Sequence, residues 1–267
     1  MKKFTMIVTA VVIGFIMTSC GNKEKNLMNK ANEFYAQAET ELNAIDNWDG
    51  FVSFFQNFKQ KFDDFKAGYS NLKLSQETQD FLSDKKEAFD QMESQKAGEL
   101  FAPILVKGEQ FAKTFIDISL LYWKNNHLEG VEENVKEKIR NILGVASDAS
   151  DEELKKAKED WENTTLGITS DATNEEKNKA LEDWMRTNFG IDSFKTEEDM
   201  EKAMEYIDSN YENEIFSVLK SYDKSSDELK DVLPKDLKER FEKYNNTIAE
   251  ITEIFDLTGF KTLEKEE

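Results

Sequence analysis

Residues 144–166 (GVASDASDEELKKAKEDWENTTL) and 167–189 (GITSDATNEEKNKALEDWMRTNF) are one 23-residue unit written twice, identical at twelve of 23 positions. A fainter third copy starts at Gly190 (GIDSFKTEEDMEKAMEYI). Units this short cannot bury a core alone, so the copies must stack on each other or on the rest of the chain. Their grammar is helical. Gly144, Gly167 and Gly190 stand in register, followed by Ser150, Thr173 and Thr196 as N-cap candidates. Three residues further stand Glu153, Glu176 and Asp199. The first two pairs are capping boxes, and the third is a shorter acidic variant. Each copy reads as a loop, a cap and a helix of three to four turns. Ala157 with Trp161, and Ala180 with Trp184, share one face; Ala203 and Ile207 take those places in the third copy.

The rest of the chain is helical in pattern as well. No alternating strand pattern and no Asn-Gly hairpin signal occurs, and 267 residues contain 2 Pro and 11 Gly. The sequence predicts an all-α protein: a helical bundle over 27–143, the repeat array over 144–206, and C-terminal helices over 207–267. Its clearest periodicity is Phe51, Phe55, Phe58, Phe62, Phe65 and Tyr69, at steps of 4, 3, 4, 3, 4, with Phe54 beside them. Those steps put the rings on one stripe of a helix starting near Asp49. The stripe reads as bundle core, as the wall of an apolar or glycan-binding pocket, or as a self-association seam. Helices are expected from about Glu24 to Ile45, from Ser75 to Gly98, and from Pro103 in the first turn of another. A further helix follows Gly130. Residues 225–228 (SSDE) read as a capping box ahead of a last helix that Pro234 opens.

The first twenty residues differ from all this. Lys2 and Lys3 precede an apolar stretch from Met6 to Met17, too short for a comfortable spanning helix. Thr18 and Ser19 then lead to Cys20, the one cysteine of the chain. A single cysteine excludes an internal disulfide or a cysteine zinc cluster. Met17-Thr18-Ser19-Cys20 resembles the lipobox of bacterial lipoproteins, with Met17 where Leu is usual. The resemblance covers residues 1–20 and implies cleavage between Ser19 and Cys20. It also implies thioether lipidation and palmitate-type acylation of Cys20, with the chain held on a bilayer of a Gram-negative envelope. Gly21 in place of Asp implies, by resemblance to enterobacterial sorting, the outer membrane; the face, periplasmic or surface, stays open. Residues 20–26 then read as a lipidated polar tether.

Charge gives the remaining functional hint. The chain has 35 Lys and Arg against 55 Asp and Glu, a net −20. Such a chain is a poor ligand for nucleic-acid phosphates, but it attracts basic proteins and peptides over long range. Glu159-Asp160 and Glu182-Asp183 repeat just before Trp161 and Trp184. They read as a solvated helix face, as a surface for a basic partner, or as paired acids of an envelope hydrolase. Asp46-Asn47-Trp48-Asp49-Gly50 fails the spacing of a calcium loop. His127, the one histidine, has no second His or Cys for a typical metal or Cys–His site. No G-x-S-x-G elbow is present. No catalytic residue, metal or cofactor is assigned. Residues 142–157 resemble the entry to the second helix of J-domains, but the His-Pro-Asp loop that defines those modules is missing. The expectation is a non-catalytic, membrane-anchored helical lipoprotein that binds a macromolecule, with ligand binding by the aromatic stripe or hydrolysis as alternatives.

Overall fold

The computed structural model describes residues 20–125, 133–193 and 196–257, and among them it contains nine α-helices, one π-helical turn and no strand. The protein is all-α. It divides into two compact units, Met1–Lys96 and Ala97–Glu267.

The first unit is an up-down-up arrangement of α1 (Cys20–Asn43), α2 (Trp48–Ala67) and the first part of α3 (Gln76–Asn125). Helix α1 buries Leu27, Ala31, Tyr35, Ala38 and Leu42, a single face at steps of three and four. Asn47 starts α2 as its N-cap, its Oδ1 accepting from the Gly50 N–H at 2.8 Å. The aromatic stripe of α2 lies on the neighbouring helices. Phe34 of α1 stacks on Phe65 at 4.9 Å and tilts against Phe58 at 5.5 Å, and Phe89 of α3 meets Phe58 at 4.4 Å. Residues 20–26 are helical and belong to α1 as far as the described residues reach. Lys23, Glu24 and Lys25 are good helix formers, and Glu24 gains a tertiary partner described below.

In the second unit the remainder of α3 is followed by α4 (Glu133–Leu143), α5 (Asp151–Leu166), α6 (Asn174–Phe189) and α7 (Glu197–Ile207). A π-helical turn (Asp208–Glu212) joins α7 to α8 (Asn213–Val232), and α9 (Lys235–Leu257) closes the chain. Helices α3 and α9 run parallel and close together. A Cβ at Gly98 would stand 3.0 Å from the Pro234 ring, and one at Gly108 would stand 3.2 Å from the Tyr244 ring. Arg240 of α9 donates to both carboxylate oxygens of Glu109, at 3.0 and 2.7 Å. Phe101 packs edge-on to Phe241 at 5.2 Å and beside Tyr222 at 5.9 Å. Further along, Ile118 and Leu121 of α3 share a core with Leu181, Met185, Phe189, Met200, Ala203, Ile207 and Ile251. On another side, Leu120 joins Val135, Ile139, Leu154 and Ile254. The repeat helices are therefore packed around α3 and α9 as well as on each other.

Two helix boundaries differ from expectation. The helices expected from Ser75 to Gly98 and from Pro103 are one 50-residue helix, with Pro103 inside it. An interior proline costs about 3 kcal/mol relative to Ala. Ala97, Phe101 and Leu105 keep a strict four-residue step through that point and are all buried, so packing on one continuous face outweighs the lost hydrogen bond. Residues 225–228 do not cap a new helix; they lie inside α8. Val218, Tyr222, Leu229 and Leu233 form one buried face across them, and the helix ends only at Val232, before Pro234.

Candidate functional site

The repeat units form the caps that their spacing implies. The Ser150 hydroxyl accepts from the Glu153 N–H at 3.2 Å while the Glu153 carboxylate accepts from the Ser150 N–H at 2.8 Å. Thr173 and Glu176 repeat the exchange at 3.3 and 2.7 Å, and Thr196 and Asp199 at 3.1 Å in both directions. The glycines that open the units, Gly144, Gly167 and Gly190, all have φ between +65° and +68°. Each ends the preceding helix in the left-handed conformation. These bonds hold the Glu153 and Glu176 carboxyls below the usual range. Those acids belong to the scaffold.

Glu159, Asp160, Glu182 and Asp183 are placed differently. All four are solvent-exposed, at matching positions of α5 and α6, while Trp161 and Trp184 beside them turn half-buried toward the core. Arg186 touches this set, 3.9 Å from Asp183 and 3.2 Å from Asp192. Residues 144–206 carry 18 Asp and Glu against eight Lys and Arg, half of the whole chain's net −20. The capping spends one acid per repeat, and most of the others remain at the surface.

Other acids are not exposed. Asp117 of α3 sits beside Trp161 and Thr165 of α5, and burial pushes its carboxyl up to about 6 against the pull of Lys113 and the hydrogen bonds of those two residues. Glu93, in the first unit, is pushed to about 7 by burial, with Asp90 adding and Lys86 opposing. Arg140 is buried with its guanidinium 2.7 Å from Glu133 and 3.9 Å from Asp151, tying α4 to the start of the first repeat helix. Lys138 pairs with Glu253, tying α4 to α9.

The aromatic stripe occupies itself. Phe51 is fully buried under Trp48, while Phe55, Phe58, Phe62 and Phe65 are half-buried in a run of ring-to-ring contacts 4.4 to 6.4 Å apart. Two shallow hollows lie elsewhere, in the second unit: one lined by Tyr222, Lys230, Phe241, Glu242, Asn245 and Asn246, the other by Asn141 and the polar face of α9 from Glu239 to Glu250. Among the described residues, no group of three or more His, Cys, Asp and Glu side chains could hold a metal ion. Among them, no helix is long and apolar enough to cross a membrane. Ser19 and His127 lie outside the described residues. Cys20 is the first described residue and lies in α1.

One contact has no signal in the sequence pattern. The Glu24 carboxylate accepts from the Ser75 N–H at 2.9 Å, the Ser75 hydroxyl at 2.6 Å and the Thr78 hydroxyl at 2.9 Å. It caps the N-terminus of α3 from a helix fifty residues earlier, and its carboxyl is held below the usual range by those bonds. Ser75-x-x-Thr78 is a visible local cap, but nothing local pairs it with Glu24.

No family model matches the chain, and neither a curated protein nor a solved structure matches it significantly.

Proposed function

We propose that the chain is a lipid-anchored, non-catalytic protein of a bacterial envelope whose acidic repeat surface binds a basic protein or peptide. The observation that carries the binding half is the exposure of Glu159, Asp160, Glu182 and Asp183 at matching places on consecutive helices, in the segment holding half of the net charge. Repetition at a fixed spacing presents a periodic row of negative charge, which suits an extended cationic chain better than a point ligand. The anchoring half rests on Lys2 and Lys3, the short apolar stretch and Met17-Thr18-Ser19-Cys20. Loss of residues 1–19 leaves 33 Lys and Arg against 55 Asp and Glu, a net −22. Such a surface repels anionic partners and accelerates encounters with basic ones. Several acyl chains on Cys20 give lasting attachment, because each buried methylene contributes about 0.8 kcal/mol.

Two measurements test the halves separately. The full chain and Cys20→Ser are expressed in a Gram-negative host with radioactive palmitate. Label and membrane fractionation follow the parent and are absent from the variant; equal labelling of both ends the anchoring proposal. Binding is measured by calorimetry with a lysine- and arginine-rich peptide as probe, at low and at physiological salt. Affinity falls with salt, and the variant Glu159→Gln, Asp160→Asn, Glu182→Gln, Asp183→Asn loses about tenfold or more, as expected for several weak charge pairs. An unchanged affinity in that variant removes the repeat surface from the proposal.

A further inference from the structure

Helix α9 carries two adjacent carboxamides, Asn245 and Asn246, in the middle of its 23 residues. Asparagine is a poor residue for a helix interior, because its short amide competes with the backbone for hydrogen bonds. Elsewhere in the second unit such amides are committed to the helix that holds them. Asn188 Nδ2 donates to the Trp184 carbonyl at 2.8 Å, and Asn210 Nδ2 to the Tyr206 carbonyl at 2.7 Å. The Asn245 and Asn246 side chains are exposed and bond to nothing among the described residues. The same holds for Asn141 in the last turn of α4 and for Glu242, one turn before Asn246.

These four free groups border the two hollows of the second unit. The hollow between α8 and α9, about 270 Å³, is walled by Glu242, Asn245 and Asn246. Beneath them lie the buried rings of Tyr222 and Phe241, edge to face at 4.7 Å. The hollow between α4 and α9, about 400 Å³, takes Asn141 from one side and Glu242, Lys243 and Asn246 from the other. Its volume is that of a small-molecule site, about 300–1,000 Å³. Glu242 and Asn246 belong to both hollows, which therefore adjoin across α9.

Each carboxamide offers two donors and an acceptor, while Glu242 only accepts and Lys243 only donates. Across both hollows three carboxylates, Glu239, Glu242 and Glu250, stand with two ammonium groups, Lys230 and Lys243, a near balance in a chain of net −20. Such a set favours neither an anion nor a cation. It suits a neutral ligand whose groups donate and accept at once, as sugar hydroxyls do, and the apolar face of a sugar ring suits an aromatic floor. An extended peptide would ask for amides repeated along the helix at steps of three and four. Asn246 instead has Glu242 and Lys243 one turn before it and Ala249 and Glu250 one turn after. We infer that the face of α9 bordered by α4 and α8 is a binding site for a neutral oligosaccharide, with Asn141, Glu242, Asn245 and Asn246 holding its hydroxyls. The site shares no residue with the acidic face of the repeats and depends on neither half of the proposed function.

The full chain, purified in detergent, is applied to an array of neutral oligosaccharides built from hexoses, pentoses and N-acetylhexosamines, and the strongest ligand is titrated by calorimetry. At least one neutral sugar binds, with an affinity that changes little between low and physiological salt, unlike binding driven by charge. Asn246→Ala and Asn141→Ala each weaken it about fivefold, the loss of one hydrogen bond. Alanine is the better helix former, so both variants keep or raise the thermal unfolding midpoint, which separates a lost contact from a lost fold. Absence of binding anywhere on the array overturns the inference. So does an affinity untouched by the two Asn→Ala changes, or stronger binding of an uncharged glycine- and serine-rich peptide.

Discussion

Gly167 and Ser150 hold the same repeat by different physics, and substitution distinguishes them. A Cβ at Gly167 meets nothing within 4 Å, so Gly167→Ala is penalised by the positive φ alone, about 1 kcal/mol. Ser150→Ala removes a side-chain acceptor from the first turn of α5 and costs about 1 kcal/mol as well. Urea unfolding of each variant reads both. Asp117 acts in the opposite sense. Its folded carboxyl titrates near 6 against an ordinary 3.8, so the folded chain keeps a proton that the unfolded chain releases. That contribution is complete below the unfolded value and is lost as pH rises through the folded one. Asp117→Asn therefore raises stability at neutral pH, by the order of 1–3 kcal/mol, and flattens the slope between about pH 4 and 6. A loss of stability in Asp117→Asn at neutral pH would mean that the bonds from Trp161 and Thr165 require the charged form. The capping residues were readable in the sequence because a cap is written within four residues. Asp117 was not, since its burial depends on a helix more than forty residues away.

Among the elements, α3 shows where local signals give way. Pro103 marks a helix start by every nearby rule, yet the apolar step through Ala97, Phe101 and Leu105 continues past it and the helix with it. The same override runs through Ser225–Glu228, where Leu229 and Leu233 carry the face of α8 onward. The stripe of α2 was legible because its period is long and its rings unambiguous; its partners Phe34 and Phe89 were not, since the pairing of faces between helices leaves no mark in either one. The parallel contact of α3 with α9 is of the same kind. Gly98 and Gly108 sit ten residues apart opposite Pro234 and Tyr244, also ten apart. Gly98→Val forces the branched side chain into the Pro234 ring and lowers stability by about 1–3 kcal/mol. Chemical unfolding of this variant checks the close approach, and an unchanged midpoint would show that the two helices separate easily.

For the molecule as a whole, the all-α class followed from the absence of strand and hairpin signals and from the repeats. The repeats also led to the exposed acids, because a solvated face repeats with its unit. The clamp of Glu24 on Ser75 could not be read this way: it arises from the meeting of segments fifty residues apart. The parallel pairing of α3 with α9 has its own consequence for how such a chain comes into being. Synthesis runs from the N-terminus, and the first unit has all its packing partners once residue 96 has emerged. The second cannot close until α9 delivers Phe241, Ile251 and Ile254, more than a hundred residues after the stretch of α3 they cover. A chain stopped at residue 233 should therefore bind a dye such as ANS through the bare flank of α3, and the nascent protein would need a chaperone to shield that flank until its last helix arrives.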